Sequence, residues 1–201
     1  MERFAHFVSL VFHPLWMPLM IYGVIRGIDP FFITGTVLDR FLLLLLFINA
    51  IAPAVSMMIM ARHGMISDLH LKNRTERSAP YLLVIFYYSI SLLLLWWKDP
   101  GLPGFIPHFF GAITLSLAAA LLINLRWKIS MHMIAQGGSL GAFIALRADV
   151  PGGMTFVVVG ALLVAGIVGF ARLHLNAHSH SQIYAGYFTG LVINLATLTL
   201  I

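Results

Sequence analysis

Apolar residues run through this chain in blocks about as long as a membrane-crossing helix, with short polar breaks between them. Largely apolar windows extend from about Phe4 to Ile25, Phe41 to Ala61, Pro80 to Trp97, Phe105 to Leu125, Ile129 to Leu146, Met154 to Phe170 and Ile183 to Ile201. Crossing about 30 Å of hydrocarbon at 1.5 Å per residue takes roughly 20 residues, so each window predicts one spanning helix. The pattern therefore predicts an all-α fold, a polytopic membrane helical bundle with about six to seven transmembrane helices. The longest polar stretch, His63 to Ser78, falls far below the roughly 40 residues an independent core requires, so residues 1–201 read as a single integral membrane domain. The first window carries His13, Pro14 and Pro18 and lacks a small-residue cleavage site with a polar stretch behind it. It reads as a retained span rather than a signal peptide.

The breaks are of two kinds. Turn residues punctuate Gly27 to Pro30, Asp99 to Gly104 and Asp149 to Gly153, whereas His63 to Ser78, Arg126 to Ser130 and Arg172 to Gln182 concentrate Arg, Lys and His. Each helix reverses the chain, so the plain loops share one face and the basic loops share the other with the N-terminus. Composition agrees with a membrane solvent: 60% of residues are apolar, 9% are charged, and mean hydropathy is +0.95. Trp96, Trp97 and Trp127 lie at window ends, where aromatic belts form. The net charge of +5 matches inside-facing loop charges, but six of the nine histidines also lie on the basic face, which that rule does not explain. Cysteine is absent, so disulfides and thiolate metal sites are excluded. Nothing in the chain points to nucleic acid or to a cofactor. The glycines at 137, 138 and 141, and at 160, 166 and 169, read as close helix-packing positions rather than phosphate cradles.

The most specific stretch is 171–186, where Arg172 precedes His178 by six positions and Ala185-Gly186 opens the next apolar block. It resembles the third motif of the type 2 phosphatidic acid phosphatase (lipid phosphate phosphatase) superfamily, Ser-Arg-x5-His-x3-Asp. Residues 129–132, Ile-Ser130-Met-His132, resemble the second motif, Pro-Ser-Gly-His, and one helix, a turn and one helix back separate them from Arg172. Residues 70–80 echo the first motif, Lys-x6-Arg-Pro, through Arg77 and Pro80, and the spacing leaves open which of His70, Lys72 and Arg74 takes the lysine's place.

The resemblance implies a divergent bacterial member of that superfamily, an integral protein of the inner membrane that hydrolyses a lipid phosphate or diphosphate. His178 would attack phosphorus to give a phosphohistidine, and His132 would protonate the leaving oxygen. Lys72, Arg74, Arg77, Ser130 and Arg172 would hold the phosphate, whose spreading negative charge calls for such donors. Gln182 stands where the family has the Asp that orients the nucleophilic His, Met131 replaces its glycine, and Ala171 replaces its serine. Two other readings compete. A non-catalytic lipid-binding or transport protein would keep the scaffold and its anion pocket without the triad carboxylate. A membrane metalloenzyme would use His174, His178 and His180, against which stands the repulsion of a metal ion by the neighbouring cations. His13 beside Pro14 reads as a kink feature rather than a ligand.

Overall fold

The computed structural model describes residues 1–32, 36–67, 69, 71, 73–98, 102–147 and 154–200, apart from the side chains of 36–38 and 98. The described residues form eight α-helices and no strand: α1 (Glu2–Val11), α2 (Met17–Ile28), α3 (Thr36–Arg62), α4 (Ser78–Lys98), α5 (Phe105–Asn124), α6 (Met131–Ala145), α7 (Met154–His174) and α8 (His180–Thr199). A 3-10 turn, Thr75–Arg77, leads into α4. Four segments are long and apolar enough to cross a membrane: Asp39–Arg62, Thr75–Trp97, Phe105–Asn124 and Met154–His174. That is the architecture of an integral membrane protein.

The N-terminal window departs from the expected single span. It breaks between Val11 and Met17 into α1 and α2, of 10 and 12 residues, each short of the roughly 20 needed to cross. Pro14 explains the break, because its ring disfavours helix at His13 and it offers no N–H to continue the ladder. Pro18 lies in the first turn of α2, where no donor is missed. The break turns α1 against α7: Ala5 and Val8 are buried with Val168 and Ala171, and Met133 and Ile183 close the cluster. The other face of α1 exposes Phe4, Phe7 and Leu10.

The tightest pairing in the bundle joins α6 to α8 through glycine. A methyl group built on Gly137 would sit 1.9 Å from the Tyr187 carbonyl oxygen, and one on Gly190 would sit 2.0 Å from the Ile134 carbonyl oxygen. Backbone meets backbone there, as small residues allow between membrane helices. The second glycine series behaves otherwise: Gly160 and Gly166 face open space, and Gly169 has only ordinary contacts. Polar pairs join other helices. Asn49 Nδ2 donates to Ser91 Oγ at 2.6 Å between α3 and α4, and Asn194 Nδ2 donates to Ser116 Oγ at 3.0 Å between α8 and α5.

Candidate functional site

Chain reversal brings the starts of α2, α4, α6 and α8 to one cavity of about 190 Å³, lined at one end by His13, Arg77, His132, Arg172 and His178. Helix N-termini present unpaired N–H groups and the positive end of the helix dipole, so the backbone and the side chains favour the same charge. No Asp or Glu is among the described residues that line the cavity.

His178 is fixed from both sides. Helix α7 ends in a Schellman cap: Asn176 adopts φ 50, its N–H donates to Leu173 O at 2.9 Å, and Ala177 N–H donates to Arg172 O at 3.1 Å. Asparagine tolerates that left-handed conformation better than most side chains. Two residues later Ser179 caps α8 in a reciprocal capping box with Gln182. His178 lies between the two caps, and its Nδ1 meets Gln182 Oε1 at 3.1 Å. The same Oε1 accepts from Ser179 N–H at 3.2 Å. A backbone N–H can only donate, which identifies that atom as the amide oxygen, so His178 Nδ1 must carry the proton. The Nε2 of neutral His178 is then an unprotonated lone pair. Burial holds the His178 pKa down at about 3; the Gln182 hydrogen bond opposes this, while Arg77, Arg172 and Lys128 add to it.

His132 Nε2 lies 3.0 Å from the Ser9 carbonyl oxygen, an acceptor, so Nε2 bears the proton and Nδ1 is the exchangeable atom. Arg172 Nη1 donates to Ser9 Oγ at 3.2 Å, while its Nε is buried without a partner. One residue of α1 thus touches both a candidate acid and a candidate phosphate ligand. Arg77, 7% exposed, donates from Nε to Leu71 O at 2.8 Å and from Nη1 to Ile129 O at 3.2 Å. Leu71 reaches this position at φ 48, a conformation that costs a bulky residue on the order of 1–3 kcal/mol. Ser130 is the N-cap residue of α6, yet its buried Oγ has no hydrogen-bond partner. Buried donors without acceptors are costly, and an oxyanion supplies what Ser130 Oγ and Arg172 Nε lack.

The candidate residues do not all converge. His132, His178, Arg77 and Arg172 line the cavity, and Gln182 and Ser130 are bound to or adjoin them. Arg74 lies outside the cavity lining: its Nη1 donates to Asn124 O at 2.6 Å and Asn124 Nδ2 returns a bond to Arg74 O at 3.1 Å, clasping the loop to the end of α5. Lys72, His70 and Asp68 lie outside the described residues. Lys128 is a basic neighbour instead; burial, then Arg77 and Arg172, hold its ammonium below the usual range. His174 stacks on Phe170 and is exposed, as is His180. Among the described residues no three His, Cys, Asp or Glu side chains are placed to hold a metal ion. Ala171, at the family's serine position, is fully buried against α1.

Three site residues escaped the sequence reading. Ser9 and His13 arrive through the break between α1 and α2; the His13 ring stands edge to face with His132 at 5.4 Å, and its Nδ1 accepts from Leu15 N–H at 3.4 Å. The pair Pro14 and Pro18 was the available signal. Tyr81, one turn beyond Arg77, lines the cavity with a buried hydroxyl that lies against Arg77 and finds no acceptor. Comparison with protein-family models, with curated proteins and with solved structures finds no match for this chain.

Proposed function

We propose that this chain is a membrane phosphohydrolase, a divergent lipid phosphate phosphatase in a bacterial inner membrane, working through a phosphohistidine at His178. One observation carries the reading. An imidazole whose Nε2 is unprotonated shares a carboxylate-free cavity with two arginines, and donors without acceptors remain beside it. A phosphate monoester or diphosphate satisfies those donors and offers phosphorus to that lone pair.

In the first step His178 Nε2 attacks phosphorus, the P–N bond forms, and the P–O bond to the leaving group breaks. Arg77, Arg172 and Ser130 hold the non-bridging oxygens. A substrate monoanion brings the proton to Nδ1 of His132, which passes it to the leaving oxygen while its Nε2–H stays on the Ser9 carbonyl throughout. In the second step neutral His132 takes a proton from water at Nδ1, the water oxygen bonds to phosphorus, and the P–N bond breaks. Phosphate leaves and His178 recovers its lone pair. Gln182 keeps the Nδ1 proton of His178 in place but contributes only an amide dipole to the cation formed in the first step.

That missing charge favours a second reading, a non-catalytic lipid-phosphate binding protein on the same scaffold. A panel of lipid phosphates and diphosphates assayed for released phosphate separates the two, with His178→Ala as the blank. Release from wild type alone supports the hydrolase. Equal, background release by both proteins with intact lipid binding supports the binding protein.

A further inference from the structure

Beyond its cationic end the cavity changes character in an orderly way along α4. Arg77, Tyr81, Val84 and Tyr88 all line it, at steps that keep one helix face. At 1.5 Å per residue Tyr88 lies about 16 Å further along the axis than Arg77. Phe109, Ile113 and Leu117 line it from α5, and Ile21 does so from α2. Helix α2 packs on α3 and α6 while α4 packs on α3 and α5, so the cavity separates α2 from α4. Tyr81, 5% exposed, marks the transition between the two ends: its ring lies among apolar neighbours and its hydroxyl, against Arg77, finds no acceptor.

The order is cation, hydroxyl, then a mainly apolar wall in which the polar groups of Ser116, Ser139 and Asn194 are bonded within the protein. The geometry points to a single-chain amphiphile as the ligand, a phosphate or diphosphate ester whose one hydrocarbon chain enters the helix bundle between α2, α4 and α5 instead of staying in the bilayer. This rests on the phosphate reading of the cationic end. Tyr81 donates to the oxygen that joins phosphate to chain, and the apolar walls take the first methylenes. Size limits the occupant: a 150 Å³ cavity admits benzene, so about 190 Å³ takes a phosphate head and the first methylenes of one chain.

The test is photolabelling of the full chain in lipid nanodiscs with dodecyl phosphate carrying a diazirine midway along the chain, read by peptide mass spectrometry. The expected adducts fall on Tyr88, Phe109 or Ile113. Leu82 and Phe86, on α4 but 56% and 58% exposed, report a chain lying in the bilayer. A two-chain phosphatidate with the same diazirine is expected to label Leu82 and Phe86 only. Val84→Trp, which fills the channel, should cut cavity labelling by the single-chain probe roughly tenfold or more. Adducts confined to Leu82 and Phe86 with the single-chain probe, equal cavity labelling by both probes, or cavity labelling unchanged in Val84→Trp would each overturn the proposal. Hydrolysis of phenyl phosphate, which needs only the cationic end, is measured in parallel. Its presence without cavity adducts keeps the phosphatase reading and removes this one; cavity adducts without hydrolysis keep the chain-binding site and remove the phosphatase.

Discussion

Gln182 and His178 are joined by a 3.1 Å hydrogen bond from Nδ1 to Oε1, so the imidazole is oriented by a group that carries no charge. In serine proteases the neutral replacement of the corresponding carboxylate costs about 10⁴ in turnover while geometry survives. Gln182→Glu restores charge at nearly the same atomic position and is expected to raise phosphate release by roughly tenfold or more, with Gln182→Asp smaller because its shorter side chain must also cap α8. Lower turnover in Gln182→Glu, with the fold intact by circular dichroism, would show that another group already stabilises the His178 cation or that His178 is not the nucleophile.

Protonation of His178 links the site to stability. Its folded pKa of about 3 lies below the ordinary imidazole value of 6.5, so the unfolded chain binds the proton more readily. The stability tied to neutral His178 is fully present above about pH 6.5 and is lost as pH falls toward about 3. Thermal unfolding of detergent-solubilised protein at pH 7 and pH 4 should show a smaller acid-induced drop in Tm for His178→Asn than for wild type. Identical drops would mean that His178 titrates normally in the folded protein.

Ser9→Ala removes the hydroxyl that Arg172 Nη1 reaches but leaves the main-chain carbonyl that holds His132. Anion binding should therefore weaken more than the proton-transfer step. The expected outcome is a roughly five- to tenfold rise in the inhibition constant for inorganic phosphate, equivalent to about 1–1.5 kcal/mol, with kcat nearly unchanged. A fall in kcat alone would place the Ser9 hydroxyl in the chemistry instead.

Glycine positions in the two series should separate sharply. Gly137→Ala and Gly190→Ala drive a methyl group into a backbone carbonyl and should destabilise the protein by about 1–3 kcal/mol, visible as a lower Tm and loss of activity. Gly160→Ala and Gly166→Ala meet open space and should leave Tm equal or slightly raised, since alanine is the better helix former. Comparable losses at all four positions would contradict the α6–α8 seam.

The sequence carries the parts of the site that local spacing determines. Arg172 and His178 are close in the chain, and the caps between them use side chains that announce themselves: Asn176 for the left-handed turn, Ser179 and Gln182 for the box. His132 follows from the helix count between the motifs. Hydropathy concealed the role of the N-terminal window, because residues 4–25 are largely apolar whether they form one helix or two. Only Pro14 and Pro18 mark the break, and neither reveals that Ser9 will meet residues 132 and 172. The division of Arg74 from Arg77 was equally hidden. Both are basic, three positions apart, yet one turns toward Asn124 at the end of α5 and the other into the cavity. The glycines shared one pattern too, but only contact with a facing backbone distinguishes a seam from a lipid-facing surface.

The α6–α8 seam also has a mechanical consequence. His132 opens one helix of the pair and His178 immediately precedes the other, and the two helices touch peptide to peptide at Gly137 and Gly190. No side-chain torsion intervenes at those contacts, so rotamer hopping has no lever with which to spread the two frames apart. The spacing between His132 and His178 inherits the stiffness of paired helical backbones, while the small hydroxyl groups around the cavity stay free to turn. Thermal agitation should blur the hydroxyls of Ser130 and Tyr81 well before it alters the separation of the two imidazole-bearing helices.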